Sequence, residues 1–68
     1  MPYRQLYSVT ETEILALQLH RNLRGPITYS EDIRALVDEL GRRPRRSDDV
    51  EHILDEGRGY LARAKRSQ

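Results

Sequence analysis

Two interruptions dictate what this chain can fold into. Gly25-Pro26 and the stretch from Gly41 to Pro44 divide it into three segments, each with apolar residues at helical spacing. Proline lacks the N–H that a helix interior uses, and glycine readily takes the left-handed conformation that closes a helix, so a helix is expected to stop at each interruption. Three helices joined by short connections follow.

The start of each helix is also marked. Thr10 followed by Glu13 has the spacing of a capping box, with Val9 and Ile14 as the flanking hydrophobic staple, and Gly25 is expected in the left-handed position after the last turn. This predicts a first helix at about 11–24. Thr28 with Glu31 forms a second capping box, with Ser30 as an alternative cap, and Ile33, Leu36, Val37 and Leu40 stand at i, i+3, i+4 and i+7. The second helix is predicted at about 29–40, ended by Gly41. Ser47 caps the third, predicted at about 48–64, with Asp48 and Asp49 in the first turn where the helix dipole favours negative charge. Its apolar face comprises Val50, Ile53, Leu54, Gly57, Leu61 and Ala64, with Tyr60 at the edge.

Gly57 and Gly59 disturb that third helix, together costing ~2 kcal/mol relative to alanine. Either Gly57 ends a shorter helix or a small residue admits close approach of another element. Because the apolar face continues through Gly57 in register, one continuous helix is the expected outcome.

The expected fold is therefore all-α: a compact three-helix domain over residues 10–65, an irregular N-terminal arm over residues 1–9, and a basic tail over 66–68. Tyr3, Leu6 and Tyr7 of the arm could lie over the helices. With 68 residues there is one core, built from 16 Leu, Ile and Val residues and four Tyr, without Phe or Trp. No cysteine is present, so disulfides and thiolate-bound metals are excluded as staples. So small a core makes association with a partner or with a second copy a reasonable expectation.

The longest apolar run, Ile14 to Leu17, is far shorter than the roughly 20 residues that cross a bilayer, and Met1 to Tyr7 lacks the apolar stretch of a signal peptide. A cytoplasmic location without membrane association is expected. An amphipathic membrane-surface helix is equally unexpected, because the third helix carries acids rather than bases opposite its apolar face.

Catalytic constellations are lacking. The chain has no cysteine nucleophile, and three of its four serines sit at or next to expected helix starts. Gly57-Arg58-Gly59 lacks the preceding strand and the lysine of a phosphate-binding loop. His52 shares one side of its helix with Asp48 and Glu56, a spacing that can hold a divalent ion, but on a solvated face with no second histidine nearby in sequence. No catalytic residue, metal, cofactor or small-molecule substrate is expected.

Two binding classes remain. On the first helix Leu15, Ala16, Leu19 and Leu23 share one face, while Ile14 and Leu17 lie roughly opposite. Use of Ile14 in the staple and cover of Leu17 by the arm is one explanation. The other is a contact surface for a second chain, with Ile14 and Leu17 rimmed by Arg21 and Arg24 and an electrostatic rim from Arg42, Arg43, Arg45 and Arg46. Charge is segregated, −3 over residues 27–41, +4 over 42–46, −5 over 47–57 and +4 over 58–68, a pattern that helix-end preferences partly explain and that can also steer a complementary partner. The leading expectation is a small regulator, inhibitor or adaptor that binds another protein, itself, or both.

The alternative is DNA or RNA binding. Arg42, Arg43, Arg45 and Arg46 could contact phosphates, supplemented by Arg58, Arg63, Lys65 and Arg66. Eleven of the twelve basic residues are Arg, which suits bidentate phosphate recognition but also follows from GC-rich coding. The first two helices even have helix-turn-helix spacing. Against this, the second helix opens with Tyr29-Ser30-Glu31-Asp32 and the third with Ser47-Asp48-Asp49, acids that phosphates would repel, and the net charge is only +1.

Overall fold

The computed structural model describes residues 9–66. Three helices, α1 (Val9–Leu23), α2 (Ser30–Gly41) and α3 (Asp48–Arg66), each pack against the other two. Among the described residues there is no strand. The expected all-α three-helix fold is thus what forms, with every described helix end within two residues of its expected position. The arm expected over residues 1–9 lies outside the described residues except for Val9, which belongs to α1. Of the tail expected over 66–68, Arg66 ends α3 and the rest lies outside them.

The local chemistry at the helix ends differs from expectation in four places. Thr10 lies inside α1, which is described from Val9, and is not its cap. Val9 is 68% exposed and Ile14 50%, so the pair does not close as a staple. At the other end of α1, Gly25 does not take a positive φ. The last turn instead tightens, Arg24 N donating to Arg21 O at 3.2 Å and Gly25 N to Asn22 O at 3.4 Å. The Asn22 side chain also donates to Gln18 O at 2.8 Å.

Thr28 does not cap α2: its hydroxyl donates to Asn22 O at 3.3 Å, tying the turn back to α1. Extended Tyr29 occupies the cap position without a side-chain hydrogen bond, and Ser30 is the first helical residue. Only Ser47 caps as expected, its Oγ accepting from Val50 N at 3.2 Å.

The core comprises Ala16 and Leu19 from α1, Ile33, Val37 and Leu40 from α2, and Val50 and Leu54 from α3. Leu15, Leu23, Leu36, Ile53, Tyr60 and Leu61 pack against it. These are the faces that helical spacing marks out. Thr12, buried at 6% exposure, is a polar addition that the spacing did not suggest.

Gly57 lies where all three helices converge. A Cβ at this position would stand 2.6 Å from Val37 Cγ2 of α2 and 3.1 Å from Leu19 Cδ2 of α1. The first distance is well inside van der Waals contact, so the absence of a side chain sets how closely α3 approaches its neighbours. α3 runs unbroken through Gly57 and Gly59. At Gly59 a Cβ would meet only the far end of the Arg63 side chain, with Nη1 at 3.4 Å.

The two glycines should therefore respond oppositely to alanine. Gly59→Ala is expected to stabilise by ~0.5–1 kcal/mol through helix propensity. Gly57→Ala gains the same propensity but crowds two buried side chains, a cost toward the upper part of the ~1–3 kcal/mol range for overpacking. Thermal denaturation of both variants checks this: a melting temperature raised by Gly59→Ala and lowered by Gly57→Ala is the expected pair.

Candidate functional site

α1 and α3 leave an open groove of about 700 Å³ between them. Ala16, Leu17, Val50 and Ile53 supply its apolar lining. Glu13, Ser47 and Asp49 border it near the two helix N-termini, and His20, Arg24, His52 and Glu56 border it further along. Helical spacing explains this division: positions 13, 17 and 20 recur on one side of α1, with Arg24 in the turn just after it, and 49, 53 and 56 on one side of α3.

Leu17 links the groove to the outer face of α1, where it is 48% exposed and Ile14 is 50% exposed. Neither belongs to the buried core or to the residues packed against it, so the second apolar group on α1 takes no part in that core. Arg21 is exposed on the same helix and pairs with no acid among the described residues. The arm proposed to cover Leu17 lies outside the described residues.

Arg24 closes the far end of the groove. Its Nη2 donates to Glu56 Oε2 at 2.8 Å, joining α1 to α3, and its Nη1 lies 3.0 Å from His20 Nδ1. The hydrogen bond from Arg24 holds the Glu56 carboxyl below its ordinary pKa, helped by the charge of Arg24 and the proximity of His52 and His20. Sequence spacing grouped His52 with Asp48 and Glu56; the fold instead places His52 and Glu56 in one groove with His20. Among the described residues no group of three or more His, Asp or Glu side chains is arranged to hold a metal ion.

The connector Arg42–Arg46 divides into two structural and two exposed cations. The Arg46 side chain donates through Nη1 to Gly41 O at 3.1 Å and Arg43 O at 2.8 Å, and through Nε to Glu51. It thereby satisfies carbonyls at the end of α2 and ties them to the start of α3. Arg43, with a side chain only 13% exposed, lies 3.5 Å from Glu11 of α1 and 3.6 Å from Glu39. Arg42 remains 69% exposed beside Glu39 at 3.5 Å. Exposed Arg45 has φ 57°, the only positive φ among the described residues, so the left-handed turn falls on an arginine rather than on Gly25 or Gly41.

The other cations considered for nucleic-acid contact are dispersed along α3. Arg58 lies 3.8 Å from Asp55, and Arg63 and Lys65 are exposed further on, with Arg66 closing the helix. Sequence reasoning missed Ile53 as a groove residue, because its spacing reads equally well as core. It also missed Ile27 and Tyr29, 65% and 60% exposed in the α1–α2 turn, which lie outside any helical stripe.

No family model, curated protein or solved structure matches the chain. Among the described residues no helix is long and apolar enough to cross a membrane.

Two measurements follow from these ion pairs. Glu56 has a lowered folded pKa, so its bridge to Arg24 contributes fully above the ordinary glutamate range and is lost as pH falls through the lowered folded value. Glu56→Gln should flatten the acid side of the stability–pH curve and leave the shape of its neutral region unchanged. Arg46→Ala should lower stability by about 1–3 kcal/mol, since it leaves helix-end carbonyls and Glu51 without their donor. Arg42→Ala should change it by less than about 0.5 kcal/mol, and chemical denaturation of the two variants makes the comparison.

Proposed function

We propose that this chain is a small, non-catalytic protein-binding module of the cytoplasm, a regulator, inhibitor or adaptor that engages another protein through an apolar-plus-arginine surface on α1. The observation that carries this reading is the half-exposure of Ile14 and Leu17, two large aliphatic side chains one turn apart, beside the apolar groove between α1 and α3. Contiguous apolar surface of this kind rimmed by polar groups is the usual anatomy of a contact site. Ile14 and Leu17 form its centre. Arg21 stands free to pair with an acid on the partner, and Arg24, anchored by Glu56, forms a fixed wall.

The rival reading, DNA or RNA contact through the arginine connector, is weakened by the pairs that Arg43 and Arg46 make within the fold. Arg42 and Arg45 remain as candidate phosphate contacts there, together with the spaced cations of α3. A protein partner therefore stands first.

Leu17→Glu tests the proposal. It should weaken partner capture roughly thirtyfold or more, the scale of a hot-spot loss, while far-UV circular dichroism stays at the wild-type level. The partner that wild-type protein retains from native lysate should survive nuclease treatment. Loss of that partner on nuclease treatment, reproduced by the double variant Arg42→Ser/Arg45→Ser, assigns nucleic-acid binding instead. An unfolded Leu17→Glu makes Leu17 a core residue and removes the main support.

A further inference from the structure

The outer face of α1 has the spacing of a second seam. Thr10, Ile14, Leu17 and Arg21 follow one another at intervals of four, three and four residues. That alternation is the repeat by which one helix meets another in knobs-into-holes packing. Its apolar centre, Ile14 and Leu17, is half exposed, and its core-facing counterpart is already occupied by Leu19 and Ala16.

The charges along this seam complement their own reversal. Glu11 and Glu13 stand in the first half of α1, and His20, Arg21 and Arg24 in the second half and just beyond it. A parallel partner copy would set Arg21 against Arg21 and Glu13 against Glu13. An antiparallel copy sets Ile14 against the other copy's Leu17, and brings Glu13 toward its Arg21 at both ends of the contact. Helical side chains lean toward the N-terminus, so in this arrangement Glu13 and the opposing Arg21 reach toward each other.

Neither residue is engaged otherwise. Glu13 and Arg21 are exposed, and neither has an ion-pair partner among the described residues. They lie eight residues apart on one helix, about 12 Å along its axis, too far to pair with each other. By contrast, Glu11 lies near Arg43 and Arg24 bonds Glu56, so those charges are already held within the fold.

We infer that α1 pairs antiparallel with α1 of a second copy, Ile14 packing on Leu17 across a two-fold axis and Glu13 pairing with Arg21 on either side. This rests on the reading of the α1 face as a contact surface and names its occupant in the isolated protein. An external partner would then bind by displacing the second copy or by sharing the adjoining α1/α3 groove.

Sedimentation equilibrium of the full chain at about 100 µM, where an interface of micromolar affinity is nearly saturated, should give twice the 8.0 kDa chain mass. Arg21→Glu and Glu13→Arg should each weaken the dimer about tenfold, with unchanged circular dichroism. The double variant Glu13→Arg/Arg21→Glu should restore it, as should an equimolar mixture of the two single variants, because both arrangements bring opposite charges together at every contact. That rescue separates a specific pairing from loss of folding. A monomeric wild type overturns the inference, and so do single variants that dimerise as wild type does, or a double variant and a mixture that both stay monomeric. A monomer that still captures a nuclease-resistant protein through Leu17 overturns the dimer while leaving the protein-binding function standing. A rescued dimer that captures no other protein does the reverse.

Discussion

The convergence of Leu19, Val37 and Gly57 is the contact on which the rest of the structure depends. One residue from each helix meets there, and the separation between α3 and the other two is set by a position that has no side chain. Among the described residues only seven hydrophobic side chains are buried around that point, so a small displacement of α3 would uncover a large share of the described core. The glycine that weakens α3 as an isolated helix is what lets it dock closely. Tertiary packing outweighs helix propensity at this position, because a short helix in water is marginal whatever its composition and takes its stability from its buried face.

Positive charge in the connector has a related role. A stretch of four arginines in five residues looks like a surface for polyanions, yet Arg46 reaches back to carbonyls at the end of α2 and across to Glu51, and Arg43 is largely buried beside Glu39 and Glu11. The sharp bend at Pro44 and left-handed Arg45 directs those two side chains inward and leaves Arg42 and Arg45 outside. The fold thus uses two of the four cations and leaves the other two at the surface. With its cations divided in this way, the connector serves first to join α2 to α3.

The surface proposed for binding lies on α1. This helix carries two apolar groups where a three-helix core uses one, and the second group stays at the surface beside a groove whose far end is held by the Arg24–Glu56 bridge. That bridge matters less for stability, being partly exposed, than for position, since it fixes the wall against which a partner would pack. His20 and His52 share that groove from helices distant in sequence, a grouping that depends on how α1 lies against α3.

Helix number, approximate limits and core faces were legible in the sequence because each follows from short-range rules: a glycine or proline that stops a helix, a serine that caps one, and apolar residues recurring every three or four positions. Ile33, Val37 and Leu40 could be assigned to the core from spacing alone. The capping details at Thr10, Thr28 and Gly25 were not legible, because each of those groups has several local partners of similar energy and the surrounding fold selects among them. The choice among the four connector arginines was equally hidden, since their side chains are chemically identical and differ only in what the folded chain places within reach. The sequence by itself determined that three amphipathic helices form and that α1 has apolar residues to spare; only the tertiary structure decided that Gly57 is a point of contact, that Arg43 and Arg46 are structural, and that Leu17 borders a groove. Periodicity is a property of neighbours along the chain, whereas those three outcomes depend on residues that folding alone brings together.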